Sequence, residues 1–332
     1  MPGRPLPRRS ALRRCAAALG ALALTAVTAA CGSSGAAGGA SGDVVLRVGD
    51  QTGMTRSRLE TAGLLKNLPY KIEWFRFAAA ADLHEALRAG AVDVGGAADS
   101  PTVAAMASGS TIKAVAAWSN SGAGSYILVP ADSPIRTFAD LRGKRISPST
   151  RGSIAHYLVL GALRRAGLSA ADVELNFLNP ADAYGAFSTG KIDAWGTWGV
   201  YAARARGQLG ARVLTTGRGL TSGLYVMSAT DRALGDAGKR RAIADFNDRV
   251  DRGFAWAARE PDDFIAWYAR FTKQTTAIAA QVQPEEAAYR RVPLDDRLIA
   301  QLQQTFDTWV GAGVLHGRLD LASYVHRDLE GA

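Results

Sequence analysis

Residues 85–96 read EALRAGAVDVGG, and one hundred positions later residues 185–196 read GAFSTGKIDAWG. At that offset Gly90 matches Gly190, Val92 matches Ile192, Asp93 matches Asp193 and Gly96 matches Gly196. Upstream, RVGDQTG at 47–53 parallels RISPSTRG at 145–152. Each half therefore reads as a strand, a polar loop with glycine, a helix, a strand, a second helix, a glycine and a short strand. Such alternation is the signature of α/β layers, and its recurrence predicts two similar lobes. In open α/β sheets ligands collect beyond the carboxyl ends of strands, beside helix N-termini. Two facing lobes would point equivalent loops, Gln51-Thr52-Gly53 and Ser149-Thr150-Arg151-Gly152-Ser153, into one cleft.

The rest of the chain fits that frame. VVLRVG (44–49), KIEWFRF (71–77), VDVGG (92–96) and IKAVAAW (112–118) have the short apolar pattern of strands. After the loop at 149–153 an apolar helix begins, with Ser153 placed to cap it. Arg164 and Arg165 stand in its last turn, where the helix dipole favours cations, and Gly167 stands just beyond. AADSPTV (97–103) is another strand-to-helix loop, in which Asp99 or Ser100 would cap and Pro101 would open the helix. Beyond Ala229 the apolar residues recur every three or four positions, as in covering helices.

The first thirty residues read differently. Arg4, Arg8, Arg9, Arg13 and Arg14 flank an apolar stretch from Cys15 to Ala30, which ends in VTAAC at Cys31. This resembles a bacterial lipoprotein signal, in which Cys31 becomes the lipidated first residue. RRSAL (8–12) resembles a twin-arginine signal as well, so general secretory and twin-arginine export both remain open. Removing residues 1–30 takes the net charge from +9 to +4, so much of the basicity belongs to the leader. An exported protein with that modest bias suits small anions and not nucleic acid. GSSGAAGGASG (32–42) is a flexible tether with a reach of about 20 Å. Cys15 and Cys31 are the only cysteines, and the four histidines are scattered. No thiolate metal site, disulfide or cysteine nucleophile is expected in the mature body, and no cofactor.

From Asp132 to Tyr201 the chain carries GSIAH (152–156), NPADAYGAF (179–187), GKIDAW (190–195) and WGVY (198–201) in one order and spacing. These segments resemble the aliphatic-sulfonate-binding proteins of ABC importers, which group with taurine- and nitrate-binding relatives. The resemblance implies a two-lobed type II periplasmic-binding-protein fold with a hinge and an interlobe ligand cleft. It places residues 44–128 and 224–332 in one lobe, 129–223 in the other, and the crossings near Val129 and Tyr225. It implies a monomer, lipid-anchored at the extracytoplasmic face of the membrane, that hands a small anion to an ABC permease.

The resemblance puts ligand loops on Gln51 and Thr52, on Asp99 and Ser100, on Thr150, Arg151, Gly152 and Ser153, on Trp198, and on Ser222 and Tyr225. A sulfonate suits such loops, because neutral N–H and O–H donors at helix N-termini can hold a single non-titrating negative charge. His156 reads as a packed histidine, Trp195 as core, and the recurring Asp93 and Asp193 as structural. Many relatives read W-D-P-Y where this chain has Trp198-Gly199-Val200-Tyr201. The missing carboxylate leads to the expectation that alkyl or aryl sulfonates bind about tenfold better than taurine. Two alternatives are kept: a nitrate or other small-anion binder, and a desulfinase-like enzyme of related fold, which would want the cysteine this body lacks. Lipid anchoring has a direct check: Cys31→Ser should release the protein from the membrane fraction or block its processing, whereas unchanged fractionation and mass would refute the anchor.

Overall fold

The computed structural model describes residues 44–327 and 329. The leader, Cys31 and the tether lie outside the described residues. The strands are β1 (Val45–Gln51), β2 (Lys71–Phe77), β3 (Val94–Ala98), β4 (Ile112–Ser119), β5 (Ser125–Val129), β6 (Arg145–Ser147), β7 (Glu174–Leu175), β8 (Ala194–Trp198), β9 (Arg212–Thr216), β10 (Leu224–Thr230) and β11 (Arg290–Val292). They form two sheets, ordered β11-β4-β10-β3-β1-β2 and β7-β6-β8-β5-β9.

The second order repeats the first. β2-β1-β3 and β7-β6-β8 are parallel triplets; β10 and β5 then pair antiparallel to their neighbours on both sides. The inserted antiparallel strand is in each case the one that the chain makes just after crossing from the other sheet. This corrects the expected crossing near Val129. The apolar run Ser125–Val129 is entirely buried and pairs with β8 and β9, so the chain changes sheets over residues 120–124. It returns over 217–223, just before β10.

The sequence repeat has a physical cause. Arg47 in β1 gives its backbone N–H and its Nε to Asp93 Oδ2 at 3.0 and 3.2 Å, and its Nη2 to Oδ1 at 2.8 Å. Arg145 in β6 makes the same three bonds to Asp193, at 2.9, 3.1 and 2.7 Å. The aspartate just before the third strand of each lobe is thus clamped bidentately by the central strand, and its own N–H returns to the arginine carbonyl. The two braces differ in setting. Asp93 is fully buried and also receives Lys239 Nζ at 2.8 Å, whereas the Asp193 side chain is about one-third exposed. Burial alone would raise the Asp93 carboxyl, but the bonds from Arg47 and Lys239 hold it below its ordinary value.

The two crossings touch through glycine. A Cβ on Gly223 would lie 2.0 Å from Gly122 N, and one on Gly122 would lie 2.5 Å from Gly217 O. Both Gly122 and Gly223 have φ in the left-handed region, at 84° and 72°. Asn120 N–H donates to Gly223 O at 3.0 Å, and the Asn120 side chain ties Gly122 N–H and Ala123 O.

The long helices close the outer faces of the first sheet, as their periodicity predicts. Ala237–Arg259 buries Ile243, Phe246, Val250, Phe254 and Ala257. Asp296–Gly311 buries Leu298, Leu302, Phe306 and Trp309. Between them Pro261–Thr272 and Thr276–Glu286 pack around Trp267 and Tyr268.

The unequal burial of the two braces gives an expected outcome. Asp93→Asn should cost about 3 kcal/mol, because it leaves Arg47 and Lys239 without their buried partner. Asp193→Asn should cost about 1 kcal/mol or less. Urea unfolding of both variants measures the difference, and equal losses would contradict it. The sign with pH follows: an aspartate held below its ordinary value contributes stability above the unfolded pKa, and that contribution is lost as pH falls through the folded pKa.

Candidate functional site

Between the two sheets lies a cavity of about 140 Å³. Five helices begin at its wall. Met54 and Thr55 open the helix Met54–Thr61, Ala80 opens Ala80–Arg88, Pro101 lies in the first turn of Asp99–Ala107, Ile154 opens Ile154–Arg165, and Gly199 and Val200 open Gly199–Leu209. Each N-terminus carries unsatisfied N–H groups and partial positive charge. Among the described residues no lysine, arginine or histidine lines the cavity, and Glu286 is the one carboxylate that does. Helix dipoles supply partial positive charge at this lining.

The five ends are not equivalent. The N–H groups of Thr55 and Arg56 already donate to the buried carboxylate of Asp50, at 3.2 and 2.9 Å. Burial pushes that carboxyl up to about 6, against the pull of those two bonds. Asp99 and Asp82 stand in the first turns of two more helices. Of the five, Ile154–Arg165 and Gly199–Leu209 have neither an acidic residue in the first turn nor, among the described residues, an internal carboxylate on their first N–H groups. Both belong to the lobe of the second sheet, and the Gly199 N–H already donates to Gly124 O at 3.2 Å.

The expected site residues divide between two cavities. Gln51, Thr52, Ser153, Trp198 and Tyr225 line the interlobe cavity. Gln51 is held there by its Nε2, which donates to Gly96 O at 2.9 Å. Trp198 meets Tyr201 edge-on, and Tyr225 packs on Trp118, Phe254 and Tyr289. Gly96 exists for Tyr225: a Cβ there would lie 2.1 Å from its hydroxyl. Thr150, Arg151 and Gly152 instead line a neighbouring cavity of about 220 Å³, with His84 and Arg88. Ser153 and Pro101 are the residues that face both.

Asp99, Ser100 and Ser222 line neither. The helix was expected to open at Pro101 but begins at Asp99, with Ala98 as its cap. That rotation turns Asp99 and Ser100 inward. Thr305 Oγ1 donates to Asp99 at 2.7 Å, and Trp309 Nε1 donates to Ser100 O at 3.2 Å. Ser222 Oγ accepts from Leu224 N–H at 3.1 Å.

The loop at 149–153 is shaped by its own needs. Gly152 has φ 78°, and its N–H donates to His156 Nδ1 at 3.2 Å. His156 is buried, packs on Phe177 and Trp309, and is pushed down to about 4 by burial and by the Arg151 charge. Arg151 itself stacks on Phe177, 4.1 Å from the ring centre. Ser153 Oγ donates to Pro148 O at 3.1 Å and accepts from His156 N–H at 3.2 Å. Its hydroxyl is therefore the cap of the helix, and what remains for a ligand is the pair of following N–H groups at Ile154 and Ala155.

The structure adds residues that sequence reasoning missed. Asn120 sits in the first crossing, where only the glycine-rich composition of NSGAG hinted at a site, whereas Thr221 lies in the stretch TSGLY (221–225) on which the resemblance puts a ligand loop. Glu286 and Tyr289 come from the far C-terminal third, with no motif around them. Contacts also bridge the two lobes around the cavity. Tyr201 Oη donates to Ala78 O at 2.8 Å, Tyr126 bonds Glu285, and Tyr157 meets Trp309 edge-on.

Comparison with known proteins agrees with this geometry. Residues 73–264 match the NMT1/THI5 like family. An aliphatic sulfonates-binding protein of Escherichia coli (strain K12) is 30% identical over 286 residues, covering 85% of this chain and 88% of that protein. The chain belongs to this family. Among solved structures, the alkanesulfonate-binding protein SsuA of Xanthomonas axonopodis pv. citri, bound to MOPS, is 30% identical with a TM-score of 0.76, covering 85% of this chain and 98% of that one. A desulfurization enzyme, DSZB, is 15% identical with a TM-score of 0.60, covering 86% and 97%; it shares the family's fold alone.

Ser153 supplies the test of this description. Ser153→Ala should cost about 1 kcal/mol of stability through the lost cap. Ligand affinity should change by no more than about threefold, since the hydroxyl proton is already given to Pro148. Chemical unfolding and titration calorimetry on the same variant check both halves.

Proposed function

We propose that this protein is an extracytoplasmic solute-binding lipoprotein that captures an organic sulfonate and delivers it to an ABC importer for sulfur acquisition. One observation carries the reading: a cavity between the sheets with no cationic side chain among the described residues that line it, onto which helix N-termini converge, in a chain 30% identical to an aliphatic sulfonates-binding protein. The sulfonate oxygens sit at the N-termini of Ile154–Arg165 and Gly199–Leu209. Oriented N–H groups there replace lost water without an ion pair, which keeps release possible. Trp198 and the apolar wall of Met54, Ile154, Val200 and Leu224 cover the carbon skeleton.

Capture follows from the two crossings at 120–124 and 217–223. As the covalent links between the lobes among the described residues, they act as the hinge, and closing brings Tyr201 to Ala78 and Tyr126 to Glu285. The protein works as a monomer, because one chain supplies both walls. A binding role is favoured over the desulfinase-like alternative, which would want a cysteine nucleophile that the sequence beyond residue 43 lacks.

A thermal-shift panel tests the assignment. Alkyl or amino sulfonates should raise the melting temperature, by the equivalent of about 3 kcal/mol at a hundredfold excess over Kd. Nitrate, sulfate esters and carboxylates should shift it far less. A larger shift with nitrate or a carboxylate would replace the sulfonate, and sulfite released from a sulfinate would make the protein an enzyme.

A further inference from the structure

Glu286 is the feature of the cavity that the sulfonate reading leaves unused. It is 6% exposed and lies at the end of the helix Thr276–Glu286. Its Oε2 meets Arg58 Nη2 in a buried ion pair. Arg58 does not line the cavity. Its guanidinium stands behind the carboxylate, over the rings of Phe254 at 4.8 Å and Trp267 at 5.6 Å. Among the described residues no donor is placed on Glu286 Oε1, although Glu286 forms part of the cavity wall. An ionised carboxylate keeps acceptor capacity on both oxygens, so a carboxylate in the cavity wall can take a further donor from a ligand.

The two ends of the cavity therefore offer different groups to a ligand, N–H donors at one and a carboxylate acceptor, backed by Arg58, at the other. The helix N-termini at Ile154 and Gly199 favour negative charge from the side of the second sheet. Glu286 and Tyr289, which lead into β11, face them from the side of the first sheet. A plain alkanesulfonate satisfies the first wall and leaves Glu286 Oε1 against a methyl group. A ligand with a protonated nitrogen at its far end satisfies both walls and enters as a neutral zwitterion. Resting on the sulfonate reading above, we infer that Glu286 selects aminosulfonates, zwitterions with a sulfonate at one end and an ammonium at the other. This departs from the expectation drawn from Gly199. The sequence shows a carboxylate missing there, and only the fold shows another arriving from a different direction. Gly199 meets no atom within 4 Å of a Cβ position, so it leaves room beside the ligand but no charge.

The test compares ligands of matched length: taurine with propane-1-sulfonate, and 3-aminopropanesulfonate with butane-1-sulfonate, by titration calorimetry on the full-length mature protein. The amino ligand should bind at least about tenfold tighter in one of the two pairs, the size of one charge-assisted hydrogen bond. Glu286→Gln should bring that ratio below about threefold. If Arg58 left unpaired prevents folding, Glu286→Asp keeps the charge, retracts it by one methylene and should lower the same ratio severalfold. A ratio below twofold in both pairs for the natural protein overturns the role of Glu286 and leaves the sulfonate reading standing. So does a large ratio that neither variant changes. Binding of none of the four compounds sinks the sulfonate reading itself, and this inference with it.

Discussion

The glycine-to-glycine contact between the two crossings is the constraint on which the molecule depends. Each sheet takes its antiparallel strand from chain that has just left the other sheet, so neither lobe is complete without both crossings. Those crossings must pass close enough for Gly122, Gly217 and Gly223 to touch, and no side chain fits between them. The close approach sets how the lobes face each other. It also puts Asn120, Thr221 and Gly223 into the cavity wall, so the hinge and the site are built from the same few residues.

Within each lobe the arginine–aspartate brace plays the matching local role. It joins the central strand to the residue before the third strand, and so fixes where those strands end and where the following helices begin. The helix N-termini at Ile154 and Gly199 are aimed at the cavity because β6 and β8 end beside each other. The first lobe has the same architecture but has filled its helix ends internally, with Asp50 on the N–H groups of Thr55 and Arg56 and with Asp99 turned to Thr305. One repeat thus leaves helix N-termini without an internal carboxylate, as the proposed anion site requires, and the other has filled its own. The asymmetry arises from a few carboxylates on a common frame.

The same division explains how a site without a cationic side chain can hold an anion. Fixed dipoles have already paid their ordering cost in folding, and a sulfonate does not titrate near neutrality. His156, behind the loop, is pushed down to about 4 by burial and by the Arg151 charge, so it stays neutral near pH 7.

The sequence by itself determined the two-lobe plan, because the hundred-residue repeat is written in residues that the brace and the close packing demand: Asp93 and Asp193 for the arginines, Gly96 and Gly196 for contacts at under about 3.2 Å. It also marked Gln51, Thr52, Ser153, Trp198 and Tyr225 as cavity residues, through local loop chemistry and family motifs. It failed where position depends on rotation or on distant chain. Asp99 and Ser100 lie in the right loop, yet a helix that begins two residues early turns them into the core. Thr150, Arg151 and Gly152 belong to the right turn, yet the turn faces a second cavity. Val129 looked like a crossing because an apolar run carries no sign of which sheet it joins; only hydrogen-bond pairing decides that. Glu286 had no local signal at all. A carboxylate in a helical stretch reads as solvated surface until tertiary packing places Arg58 behind it and the cavity in front.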